Sequence, residues 1–274
     1  MSDFATTADI IAALAGCGTV GVNQDLYKAS ITTASGFDYS GWTCAGNPAA
    51  GAAPTTWATP TSATNGALNP KHANGLSTQT LRILAAQLRP SVGNQPYIFR
   101  DRVGHMGGLS GTVTTAQTVN GSLTTPAADG RCSADGSDVD WWLEWYSATG
   151  STGVNATVAV TYSDNSTGNI VIAVPASCPA FRRYRITPAS GNLYIKSIQS
   201  VTLSATTGTA GNFGVTANNR LFSFSTAASN GEWVADWALL GMPVIGRNCC
   251  LECSTYAIGT SFGSITGNIR AGAA

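Results

Sequence analysis

The feature that most constrains this chain is a long succession of short runs with period-two alternation, each closed by a turn signal. "VDWWLEWYSA" (139–148), "NATVAVTYSD" (155–164) and "GNIVIAV" (168–174) are separated by "TGSTG" and "NSTG". Alternation at period two marks strands with one face buried, and Gly, Asn, Ser and Thr clusters supply the turns between them. "RRYRITPA" (182–189), "LYIKSIQSVTLSATTG" (193–208), "GNFGVTANN" (211–219) and "RLFSFST" (220–226) continue the series, as do "QPYIFRDRVGHMGGLSG" (95–111) and "GTVTTAQTVNGSL" (111–123) before it. "EWVADWALLGM" (232–242), "NCCLECSTYAIGT" (248–260) and "FGSITGNIRAG" (262–272) extend it to the end. Strands at intervals of about eight to twelve residues predict an antiparallel β-sandwich or barrel. The strand–helix alternation of a doubly wound fold is missing, and no fixed period points to a solenoid or propeller.

The N-terminal third reads differently. Residues Thr6 to Ala15 predict a short helix, with Thr6 or Thr7 as cap, Asp9 in the first turn, Gly16 after the end, and Ile10, Ile11 and Leu14 as its apolar stripe. So short a helix must dock on something to persist. Residues 43–80 are rich in Ala, Pro, Gly and Thr and predict an extended, irregular segment, either laid over a neighbouring subunit or disordered. "TQTLRILAAQL" (78–88) fits a strand or a short helix. The organisation expected is a helix and extended arm over 1–90, followed by a β-sandwich domain over 91–274.

Composition narrows the function. Only 10% of the 274 residues are charged, the net charge is zero, and lysine occurs three times, at Lys28, Lys71 and Lys196. A usual chain carries about a quarter, so this surface is expected to be covered by neighbours or kept wet by hydroxyls. The densest basic run, Phe181–Arg185, is too small for a nucleic-acid footprint. No apolar run reaches the length of a membrane span. The start, "MSDFATTADIIAALAG", lacks the basic region of a secretory signal, so synthesis in a cytoplasm is expected, with the seven cysteines beginning as thiols.

Four motifs invite chemistry. "GCGTVG" (16–21) matches G-x-G-x-x-G in letters but follows a helix, where a dinucleotide site needs a strand first. "CLEC" (250–253) lies in a β-like stretch, and Cys249, Cys250 and Cys253 form a candidate disulfide or buried thiol cluster. A zinc site would need further ligands, and the only histidines are His72 and His105. His105, near Asp101 and Ser110, invites a triad, yet "GLSGT" puts Thr112 where a nucleophile elbow needs glycine. In "DWWLEWY" (140–146), alternation places Trp141, Leu143 and Trp145 on a core face. Asp138, Asp140, Trp142, Glu144 and Tyr146 share the other face, which reads as a subunit interface, an ordinary outer face or a sugar shelf. A glycosidase reading would use Asp140 and Glu144. Trp142, Glu144 and Tyr146 are the candidate interface residues.

"DRVGHMGGLSGTVTTAQTVNGSL" (101–123), "WLEWYSATGSTGVNATVAVTYSDNSTG" (142–168), "SVTLSATTGTAGNFGVT" (200–216) and "STYAIGTSFGSITGNI" (254–269) resemble a group of tailed-bacteriophage virion structural proteins, over roughly Tyr97 to Ile269. The resemblance implies a virion location and no catalytic residue or cofactor. The chain departs from the group in Cys249, Cys250 and Cys253 and in "PAADGRCSADGSD" (126–138). The combined expectation is an all-β, jelly-roll-like antiparallel sandwich serving as a non-enzymatic capsid decoration or cement protein. Its partners would be a major capsid protein or other virion subunits, with self-association as a dimer or trimer and no direct contact with nucleic acid or membrane. A neck or tail position, or a glycan- or receptor-binding role through Trp142 and Tyr146, are the alternatives.

Overall fold

The structure is a computed structural model that describes residues 4–14, 21–68, 81–189, 193–246 and 248–273. "GCGTVG" falls almost wholly outside the described residues, as do His72 and Lys71. Helix α1 (Thr7–Leu14) precedes β1 (Gly21–Lys28), β2 (Phe37–Ser40), β3 (Gly46–Asn47), β4 (Leu81–Pro90), β5 (Tyr97–Leu109) and β6 (Gln117–Ser122). Short helix α2 (Thr124–Ala128) leads into β7 (Val139–Trp145), β8 (Val154–Tyr162), β9 (Thr167–Val174), β10 (Arg182–Ile186), β11 (Ile195–Leu203) and β12 (Phe213–Phe224). Then follow β13 (Trp233–Ala235), α3 (Trp237–Leu240), β14 (Val244–Ile245), β15 (Leu251–Ala257) and β16 (Ile265–Ala273). The fold is all-β, antiparallel and sandwich-like, with a short N-terminal helix, as the alternation predicts.

Six strands close into a ring in the order β10-β2-β15-β5-β12-β7, with β7 pairing back to β10. Two open sheets cover the outer wall of this barrel. The four-stranded sheet β6-β11-β8-β9 packs Ala156, Val158, Val160, Ile198 and Val201 against Trp141, Leu143, Trp145, Phe213 and Val215 of the ring. The second sheet, β13-β4-β16-β1-β3 with β14 also on β4, packs Ile83, Leu88, Ile265 and Ile269 against Tyr97, Phe99, Phe222, Phe224 and Leu251. Each Val, Leu, Ile or Phe among these gains about 1.5–3 kcal/mol on burial. Strands β5 and β12 are long enough to serve both cores: one end of each feeds the first and the other end the second. With both apolar cores outside the ring, the inward face is left for other side chains.

The N-terminal segment corrects two expectations. Strands β1 and β4 flank β16 in one sheet, and β2 is a stave of the barrel, so the chain before residue 90 is woven into the fold rather than forming a separate arm. The described part of the 43–80 segment, to residue 68, is laid over its own barrel. Trp57 stacks on Trp141 with centroids 5.4 Å apart, Ala58 bridges His105, and Leu68 bridges Leu251. Lys28 pins the start, its Nζ donating to the carbonyls of Cys44, Pro48 and Ala49 at 3.1, 2.9 and 3.3 Å. Gly104 is required here, because a Cβ would lie 2.1 Å from the Trp57 ring. Helix α1 is capped by Thr6 and Asp9, which bond reciprocally, and docks through Ile10 and Ala13 on Leu84, while Ile11 of the expected stripe is exposed.

Candidate functional site

The ring's inward face carries a dense set of charged side chains. Alternation along the staves points Asp38 and Ser40 inward from β2, Arg100 and Arg102 from β5, and Asp140, Trp142 and Glu144 from β7. From β10, β12 and β15 come Arg183, Thr216, Asn218, Glu252 and Ser254. A slip in the β5–β12 register between Ala217 and Asn218 lets His105 share the interior with Arg102, an odd number of residues away.

These groups form one line of alternating sign. His105 Nδ1 accepts from Arg102 Nε at 3.0 Å. The two Nη atoms of Arg102 reach Glu252 and Glu144, each at 2.7 Å, and Nη2 also donates to Tyr146 Oη and Thr216 Oγ1 at 2.9 and 3.0 Å. The other oxygen of Glu252 accepts from Arg183 Nη1 at 2.7 Å, and Arg183 grips Asp38 Oδ1 through Nε and Nη2 at 2.8 and 2.6 Å. Arg100 stands 3.7 Å from Asp38 and donates to Asp140 at 2.8 Å, and Asp140 also pairs with Arg185. The line thus runs from sealed Arg102, at 0% exposure, to the open end, where the Arg185 side chain is 60% exposed. Trp142 lies between the guanidinium groups of Arg100 and Arg183, 4.9 and 4.8 Å from its ring centre, and Trp42 closes the sealed end 4.8 Å from Arg102. Outside the ring, Arg131 holds Asp101 through two bonds and Pro60 O through a third, tying the extended segment to β5.

Burial and the neighbouring Arg102 push His105 down to about 2, against the pull of Glu252, so the imidazole is neutral and accepts. Burial alone would raise Glu252, but Arg102 and Arg183 hold it at about 2. Burial raises Asp38 despite Arg183 and Arg100.

The placement of Trp142, Glu144 and Tyr146 corrects the interface expectation. Their face lines the barrel: Trp142 and Glu144 are 6% and 1% exposed, and Tyr146 Oη is engaged by Arg102. The alternation holds, but the face opposite the core is enclosed by the ring rather than turned outward. Trp142 is therefore not laid open as a sugar shelf, and the Glu144 carboxylate is already engaged by Arg102, Thr216 and Tyr146. Nor does a triad form: Asp101 is taken by Arg131, and Ser110 Oγ lies 2.9 Å from Thr112 Oγ1.

The six described cysteines, Cys249, Cys250 and Cys253 among them, are free thiols, and those three are buried with their pKa raised well above the usual value by burial. They do not form one cluster. Cys250 packs with Trp42, while Cys249 and Cys253 lie in the second core. In the native protein a thiol reagent is therefore expected, among the six described cysteines, to modify half-buried Cys132 first and to spare these three until the fold is opened; mapping adducts by mass spectrometry with and without denaturant checks this.

Arg102, Arg183, Asp38 and Glu252 come from four separate strands, and no local motif joins them as a set. Their signal was present: in a charge-poor chain, "FDYS", "FRDR", "DWWLEW", "RRYR" and "LECS" each put charges on a strand among large apolar residues.

No family model matches the chain, and no curated protein matches it. Among solved structures, it is similar to the VP2 subviral particle of infectious bursal disease virus, at 8% identity over 97% of this chain and 86% of that one, with a TM-score of 0.17. T=1 particles derived from the same virus give 9% identity, 96% and 83% coverage, and again 0.17. Superpositions of this quality define neither topology nor role.

Proposed function

We propose that this chain is a non-enzymatic structural protein of a virion, and within that class a capsid decoration or cement protein of a tailed bacteriophage. The observation that carries the reading is where the charge sits. Among the described residues ten charged side chains are buried, in a chain that has only 14 basic and 14 acidic residues. The outer surface carries the remaining charges among many Thr, Ser, Gly and Ala residues and scattered apolar groups such as Val234, Leu239 and Val244. Such a surface packs against neighbours with little like-charge repulsion and little desolvation of ions. The interior ion pairs meanwhile fix one arrangement of the ring, which suits a part that must match a lattice. The resemblance of 101–123, 142–168, 200–216 and 254–269 to phage virion proteins supports the same role.

Quantitative mass spectrometry of purified particles tests it. Hundreds of copies per particle are expected for a head decoration protein. Six or twelve copies would move the chain to the neck, and absence from the particle would refute a virion role.

A further inference from the structure

The two open sheets end in strands of very different kinds. Strands β3 and β14 have two residues each and β13 has three, too short to template a partner. Strand β6 is interrupted by Asn120 at φ 52° and by a slip in its register with β11, and its Ser122 carbonyl already accepts from Trp57. Strand β9 has none of these protections. It runs for eight residues, "TGNIVIAV", without a charge or a proline, pairs only with β8, and has no bulge in that register.

Its free groups can be assigned. Tyr162 N donates to Ser166 O at the β8–β9 turn, so the pairs 160/168, 158/170, 156/172 and 154/174 exchange the ladder bonds. The backbone N–H and C=O of Thr167, Asn169, Val171 and Ala173 therefore point away from β8. The equivalent groups of β8 point to its other neighbour, as Asn155 does in bonding Ser204. Among the described residues no strand lies on the outer side of β9. Val171 is 62% exposed, and Ile172, packed against the first core, is only partly covered.

We propose that β9 is a self-association edge: two copies of this chain pair β9 to β9, antiparallel, about a twofold axis between their Val171 residues. Three of the four free positions, Asn169, Val171 and Ala173, are symmetric about 171, and in two copies they present six N–H and six C=O groups. Val171 meets Val171 of the second copy, and Asn169 meets Ala173 on either side, so all six N–H and all six C=O groups find partners. One step further, Thr167 would face Pro175, which has no N–H, so the register ends there. The uncharged edge adds no repulsion at the axis, and the joined four-stranded sheets become one sheet of eight. This inference is independent of the virion reading: the copy-number experiment can fail while the dimer stands, and the reverse.

The test is the solution mass of the full chain by sedimentation or light scattering. Wild type is expected at twice 28.0 kDa. Val171→Pro removes only an outward N–H, which β8 does not use, and is expected to be monomeric with an unchanged melting curve. Val171→Lys keeps the backbone intact and sets two ammonium groups at the axis; it too is expected to be monomeric. A monomeric wild type overturns the proposal, and so does a dimer that persists in folded Val171→Lys.

Discussion

Replacing Arg102 by methionine is expected to unfold the protein or to cost about 3–5 kcal/mol, the range for removing one partner from a buried ion pair. Arg102 is fully buried and is the counter-charge for both Glu144 and Glu252. Methionine fills similar space but leaves Glu144 with only hydroxyl partners and Glu252 with Arg183 as its one ion-pair partner beside the neutral donors Ser40 and Asn218, in a region too enclosed for water to replace the guanidinium. Domains are stable by only about 5–15 kcal/mol, so the loss is a large fraction of the total. Arg102→Lys should be nearly as damaging, since one ammonium cannot reproduce a fork that serves His105, Glu144 and Glu252 together. Arg185→Ala is the control. At the solvent end of the same line its loss should cost under about 1 kcal/mol. Urea unfolding of the three variants measures this, and equal costs for Arg102→Met and Arg185→Ala would refute the graded line.

Acid is expected to destabilise the fold in two stages. His105 is held at about 2 in the folded chain against 6.5 when free, so between those values the unfolded chain binds a proton that the folded chain does not. Stability therefore falls as pH drops below about 6.5, by on the order of 3 kcal/mol at pH 4. Glu252, held at about 2 against 4.5, adds a second loss in the same direction once pH falls below about 4.5. Asp38, raised by burial, acts in the opposite sense and offsets part of this. The urea midpoint should start to decline near pH 6.5 and steepen below 4.5. His105→Gln, which keeps an acceptor for Arg102, should remove the upper stage and leave the lower one. A midpoint that is flat from pH 7 to 5 in the wild type would contradict the buried neutral imidazole.

The strands were legible because their alternation is local. "NATVAVTYSD" and "GNIVIAV" identify β8 and β9 within a residue or so at either end, and Trp141, Leu143 and Trp145 lie in the core that period two assigns them. Ring closure was not legible, because it depends on pairings such as β2 with β15, more than two hundred residues apart. That missing contact inverted the reading of Trp142, Glu144 and Tyr146: a polar face on an open sheet meets solvent, whereas the same face inside a ring meets five other staves. The register slip at Ala217 and Asn218 also hid His105, since strict alternation puts it opposite Arg102. The extended segment read as a wrap for a neighbour because its composition shows no periodicity. It is held instead by single anchors, Trp57, Lys28 and Arg131, which no periodic pattern marks.

The position of Glu252 along the chain has a consequence for the order of assembly. Arg102 and Arg183 emerge early and midway during synthesis, but the carboxylate that bridges them belongs to β15, near the C-terminus. Until β15 arrives, the staves already made would set two guanidinium groups facing each other across an open, hydrated gap. Closure of the barrel is therefore expected late, because the pairings that β15 makes with β2 and β5 and the ion pairs of Glu252 all need that strand. Such a topology folds slowly, and the last quarter of the polypeptide acts as the keystone for everything made before it.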